Sequence, residues 1–116
     1  MEDNTPKVWV VKEQVRRNAT GPEPMDYSPA MQYGEIVFIT SHDMPLYPKS
    51  NVLEKWQNGV KAFIAQYDPD RDFIITTGQP AAIFNVGYLL GLAGKRPRLL
   101  VWQREEGRYF PFTPNQ

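Results

Sequence analysis

Two short polar clusters carry the side chains and turns of this chain that could do chemistry. One is Ser41-His42-Asp43, and the other is Thr76-Thr77-Gly78-Gln79 immediately before Pro80. The second follows an apolar run beginning at Asp72, so it reads as a buried strand that stops at glycine and re-enters a helix through proline. A turn of that kind lies at the carboxyl end of a strand, where α/β sheets usually bind ligands. The free N–H groups of the helix start favour an anion, although Pro80 removes one donor and Gln79 is a mediocre cap. If the strands preceding the two clusters are parallel, both clusters lie at one sheet edge. The functional reading is then a small pocket for a phosphate, nucleotide or carboxylate, formed by Ser41, His42, Asp43, Thr77, Gly78 and Gln79. The plainer reading is that Gly78 and Pro80 only make a tight strand-to-helix turn.

His42 is the only histidine. Its neighbours Ser41 and Asp43 do not make a hydrolytic triad with it, because adjacent loop side chains point in different directions. As a general acid or base it would need Asp26, Asp43 or Asp70 as an orienting partner, and otherwise it is a surface residue. It is the one weak catalytic candidate. Asn85, two turns into the most apolar segment, either points back toward the pocket or bonds a carbonyl in the core. With one histidine and no cysteine, no transition-metal site is expected, and no cofactor is indicated. The phosphate-loop, dinucleotide and nucleophile-elbow patterns are all missing, which leans the reading away from an enzyme.

These residues must be positioned by regular elements. Lys7–Lys12 and Glu35–Thr40 are apolar on both faces, as strands buried on two sides are. The intervening chain is polar and proline-punctuated, with Gly21-Pro-Glu-Pro24 excluding regular structure and Asp26–Tyr33 allowing one helical turn. Asn51 followed by Glu54 has the spacing of a helix start, and Leu53, Trp56, Val60, Phe63 and Tyr67 recur at helical intervals to about Gln66. Asp72–Thr77 is the third strand. A second helix starts at Pro80 and ends at Gly94, Pro97–Gln103 is the fourth strand, and Glu105-Glu-Gly107 turns the chain into a short proline-bearing edge strand, Tyr109–Phe112. The expected fold is a single α/β domain over 1–116, with 1–6 and 113–116 as flexible ends. Its sheet has four mostly parallel strands, two main flanking helices and a short antiparallel C-terminal edge strand, a Rossmann-like layout.

Right-handed crossovers in one direction put both helices on the same side of the sheet. The other face needs cover from the crossover segment Arg16–Tyr33 and from a second copy of the chain, so a homo-oligomer is expected. The balance of 13 basic and 13 acidic residues argues against coating duplex nucleic acid or an anionic membrane. Lys95, Arg96, Arg98, Arg104 and Arg108 gather around Trp102 and Tyr109. This mixture either binds single strands by charge and stacking or forms a solvated edge with Trp102 in the core, the reading preferred for a neutral chain. The apolar run Ala81–Ala93 is too short to span a bilayer, and no export signal opens the chain.

Asp26-Tyr-Ser-Pro-Ala30, Tyr33-Gly-Glu-Ile-Val-Phe-Ile39, Thr77-Gly-Gln-Pro-Ala-Ala-Ile83, Leu99-Leu-Val-Trp-Gln-Arg104 and Arg108-Tyr-Phe-Pro111 together resemble a set of short, functionally unassigned proteins encoded in bacteriophage genomes. The resemblance implies an accessory protein acting in the cytoplasm of a bacterial host, and it names no catalytic residue. Two functions are therefore carried forward: binding, inhibiting or redirecting a host macromolecule, and binding a nucleotide or other phosphorylated metabolite at the strand ends for sequestration or cleavage.

Overall fold

The run Lys7-Val-Trp-Val-Val-Lys12 has no polar side chain at its centre and forms β1 (Lys7–Lys12), whose four middle residues are all buried. The computed structural model of the protein describes residues 5–12, 15–18, 21–40 and 51–114. Within them follow β2 (Val15–Asn18), β3 (Gly21–Pro24), a 3-10 helix (Ser28–Tyr33), β4 (Glu35–Thr40), α1 (Asn51–Gln66), β5 (Phe73–Ile75), α2 (Pro80–Leu92), β6 (Leu99–Gln103) and β7 (Arg108–Phe112). The main sheet has the order β4-β1-β5-β6-β7. β4, β1, β5 and β6 are mutually parallel, and β7 pairs antiparallel with β6. The expected four-strand parallel sheet with its antiparallel edge is thus the fold observed.

Gly21–Pro24 corrects the sequence reading. It was expected to exclude regular structure, yet it pairs as β3 with β2 in a separate two-stranded ribbon. An isolated two-stranded ribbon needs few ladder donors, so prolines at positions 22 and 24 are tolerated there as they would not be in a central strand. β5 is also shorter than Asp72–Thr77, because the Thr77 N–H turns back to the Ile75 carbonyl at 3.1 Å and ends the ladder.

Counted within this sheet alone, the strands run 2-1-3-4-5, so the chain reverses its direction of travel between β1 and β5. α1 and α2 lie on one side, where Trp56, Val60 and Phe63 of α1 and Ala82, Val86 and Leu90 of α2 pack on Trp9, Val11, Ile39 and Ile74. The crossover from β1 to β4 lies on the other side. There Tyr27 and Ala30, with Met25 and Tyr33, cover Val8, Val10, Phe73, Ile75, Leu100 and Tyr109. Right-handed connections in opposite directions require this division of faces. The second face is accordingly covered in large part by the chain's own crossover.

Close packing explains one helical glycine. A Cβ on Gly59 would lie 2.9 Å from the Ile39 carbonyl oxygen, so α1 approaches β4 as nearly as it does only because position 59 has no side chain. At the amino end of the sheet, the carboxylate of Asp72 is completely buried. It accepts hydrogen bonds from Lys7 N at 3.0 Å, Trp9 Nε1 at 3.1 Å and Asp68 N at 2.9 Å, and Arg71 Nε lies 3.7 Å away. This side chain ties β1 to the start of β5 and to the turn after α1. Tyr67 closes the same end of the sheet, its hydroxyl donating to the Arg96 carbonyl at 2.9 Å and accepting from Arg98 N at 3.0 Å.

Candidate functional site

The carboxyl ends of β1 and β5, which flank the point of reversal, are clamped together. Lys12 N donates to the Thr77 carbonyl at 3.1 Å, and Thr77 Oγ1 donates to the Lys12 carbonyl at 2.8 Å. Beyond the clamp, Gly78 holds φ at 129°, a backbone conformation that strains any residue with a side chain. Gln79 follows in an extended conformation with no side-chain cap bond, and Pro80 opens α2. The first of the helical bonds is donated by Ile83 N to the Gln79 carbonyl. Ala81 and Ala82 precede it, so their N–H groups belong to the donors a helix start leaves outside its own ladder.

A cavity of about 360 Å³ opens at this edge, on the crossover side of the sheet. Ile75, Leu100 and Tyr109 form its apolar floor, Met25, Asp26 and Pro29 its outer wall, and Thr76, Thr77, Val101 and Trp102 its rim. Each wall has a local cause. Residues 100 and 102 share a face of β6 by the two-residue period of a strand. Trp102 stands edge-on to Tyr109 across the β6–β7 ladder, with ring centroids 4.9 Å apart. Asp26 accepts the Ser28 N–H at 2.9 Å, a turn that sets its carboxylate at the entrance to the 3-10 helix.

Among the described residues that line the cavity, Asp26 is the one of carboxylate type. Burial pushes the Tyr109 hydroxyl above its ordinary pKa, and the neighbouring Tyr27 and Asp26 push it the same way, so at neutral pH it remains an O–H donor. Among the described residues the lining offers hydroxyls, one carboxylate and a half-exposed indole, with no lysine, arginine or histidine. A second, smaller crevice of about 190 Å³ lies on the helical side, lined by Val11, Ile74, Ile83, Val86, Gly87, Leu90, Pro97 and Leu99, with Thr76 between the two.

Of the residues singled out in the sequence, Thr77 lines the main cavity. Gly78 and Gln79 continue from it toward the helix start without lining it, and Asn85, half-buried on α2, lines neither cavity. Ser41, His42 and Asp43 lie outside the described residues. Trp102 was assigned to the core and is instead 46 % exposed at the cavity rim. Three of the five late cations have structural employment: Lys95 Nζ caps the carbonyls of Ile64 and Tyr67, the Arg98 guanidinium lies over Phe73, and Arg108 pairs with Glu106 above Phe110. Among the described residues no group of three or more His, Cys, Asp or Glu side chains could hold a metal ion, and no helix is long and apolar enough to cross a membrane. Met25, Pro29, Leu100 and Tyr109 were missed as site residues, because their convergence depends on the crossover folding back over β5 and β6.

These features define a small α/β protein with an apolar cavity at the carboxyl ends of its parallel strands. Residues 6–116 match the family model described as Phage Pam3 gp32-like protein, and the chain belongs to that family. It is thus a phage-type accessory protein. No curated protein and no solved structure gives a significant match to the chain.

Proposed function

We propose that this phage protein binds a small molecule bearing a planar heteroaromatic ring, of the nucleoside type, in the cavity at the ends of β5 and β6. The observation that carries the reading is the cavity's position and lining: about 360 Å³ beside the reversal of the sheet, with an apolar floor and a half-exposed tryptophan at the rim. That volume is at the lower end of ligand pockets and suits one ring system with its sugar better than a dinucleotide. Trp102 offers a face for stacking, and Thr76, Thr77, Tyr109 and Asp26 offer hydrogen-bond partners to ring and sugar. A phosphorylated ligand would place its anion past Thr77, near the N–H groups of Ala81 and Ala82. The apolar floor and hydroxyl-bearing rim of the described lining support binding as the activity proposed. The notable exposed apolar surface away from the cavity, the outer face of α2, is taken up below.

Trp102 is the tryptophan a bound ring can quench by contact, since Trp9 and Trp56 are buried. Titration with each nucleoside and its monophosphate should give saturable quenching of the tryptophan emission by at least one of them. Thr76→Phe, which narrows the rim from an exposed position, should weaken that response tenfold or more at unchanged melting temperature. Unsaturable or absent quenching across the panel would overturn the proposal.

A further inference from the structure

α2 carries two apolar stripes on opposite sides. The inner one, Ala82, Val86 and Leu90, is buried against the sheet. The outer one runs Phe84, Gly87, Tyr88, Gly91 and Leu92, the spacing of a packed helix face, yet Phe84, Tyr88 and Leu92 are 78 %, 59 % and 67 % exposed. Among the described residues nothing outside the helix's own backbone and neighbours approaches within 4 Å of where a Cβ on Gly87 or Gly91 would sit, so packing within them does not require either glycine. The apolar surface continues past the helix. The crevice that Gly87 and Ile83 share with Pro97 and Leu99 leads onto the helical side of β6 and β7, where Val101 and Phe112 are 39 % and 54 % exposed.

We infer that this face is the interface of a two-fold symmetric homodimer, with α2 packed antiparallel on α2 of a second copy. Charge favours a copy over a different partner: from Pro80 to Gly94 the chain holds no Asp, Glu, Lys, Arg or His, so two copies meet without like-charge repulsion and the face offers a charged partner nothing to read. Antiparallel apposition also sets the two helix dipoles head to tail. The area suffices. At about 150–250 Å² per aromatic side chain, Phe84 and Tyr88 with Leu92 expose roughly 350–400 Å². Adding Val101, Phe112 and the small residues between brings two copies to about 1,000–1,200 Å², the low end of specific interfaces. The absent side chains at Gly87 and Gly91 let the second helix approach closely. The crossover already packs over most of the opposite face, which leaves this surface for a second copy to cover.

Antiparallel two-fold packing makes a register prediction. Tyr88 lies at the centre of the stripe and meets its own copy, whereas Phe84 meets Leu92 of the other chain. The chain has no cysteine, so one introduced thiol gives an unambiguous crosslink. Under mild oxidation Tyr88→Cys should crosslink to twice the 13.4 kDa chain mass, and Phe84→Cys alone should not. The unmodified protein should sediment as a dimer at high micromolar concentration, and Phe84→Glu with Tyr88→Glu should give a monomer with an unchanged melting profile when dilute. A monomeric native protein at that concentration would overturn the inference. So would equal crosslinking at both positions, or a monomer that engages a host macromolecule through this face.

Discussion

Removing the Asp72 carboxylate should be among the most costly changes to this fold, although the residue lies at the end of the sheet away from the cavity. Three N–H donors converge on it, from Lys7, Trp9 and Asp68, and its side chain has no exposure to water. A hydrogen bond to a charged group contributes roughly 1.5–3 kcal/mol, and a buried donor left without an acceptor costs about 1–3 kcal/mol. The three share one acceptor group and do not add, so Asp72→Ala should cost about 3–5 kcal/mol, the range for breaking a buried ionic network. For a domain of this size that is a loss of roughly 12–20 °C in melting temperature. Asp72→Asn keeps one acceptor oxygen and should lose about half as much. Urea titrations of Asp72→Ala, Trp9→Phe and the double variant complete the test. The Trp9 substitution should cost about 1 kcal/mol less in the absence of the carboxylate. An Asp72→Ala protein within about 1 kcal/mol of the parent, or strictly additive effects, would refute this account of the β1–β5 junction.

Alkaline pH should weaken the fold through Tyr67. Burial raises its hydroxyl pKa above the ordinary 10, against the lowering pull of the Arg98 N–H and charge. The folded state then holds its proton longer than the unfolded chain, so stability is intact below pH 10 and declines as pH rises above it. Tyr67→Phe should flatten that decline in a pH series of melts while costing about 1–2 kcal/mol at neutral pH for the two lost hydrogen bonds. Gly59→Ala should destabilise by about 1–3 kcal/mol despite alanine's better helix propensity, because the added carbon meets the Ile39 carbonyl at 2.9 Å. A more stable alanine variant in denaturant titration would show that α1 can shift away from β4.

The sheet was legible because its strands are short, continuous apolar runs, a pattern that requires cover on both faces, and because Gly78 and Pro80 mark the entry to α2 on steric grounds alone. The carboxyl-end location of a cavity followed from those same residues. Its walls did not, since Met25, Asp26 and Pro29 reach Leu100 and Trp102 only through the fold-back of a proline-punctuated segment that shows no periodicity. The same segment concealed the β2–β3 ribbon, where pairing overrides the local preferences of Gly21–Pro24. Asp72 read as the first residue of a strand, because a carboxylate at a strand start is ordinary until three donors from other segments are seen to meet on it. The outer stripe of α2 was visible as an apolar run, and only burial separates its buried side from its open one.

The cavity claim is tested most directly by amide chemical-shift mapping of the labelled protein titrated with nucleosides and their monophosphates. The account predicts saturable shifts confined to Asp26, Ile75–Thr77 and Leu100–Trp102, extending to Gly78–Ala82 for the phosphorylated ligands alone. Shifts that never saturate, or that map to the outer face of α2 and leave these residues unmoved, would contradict it.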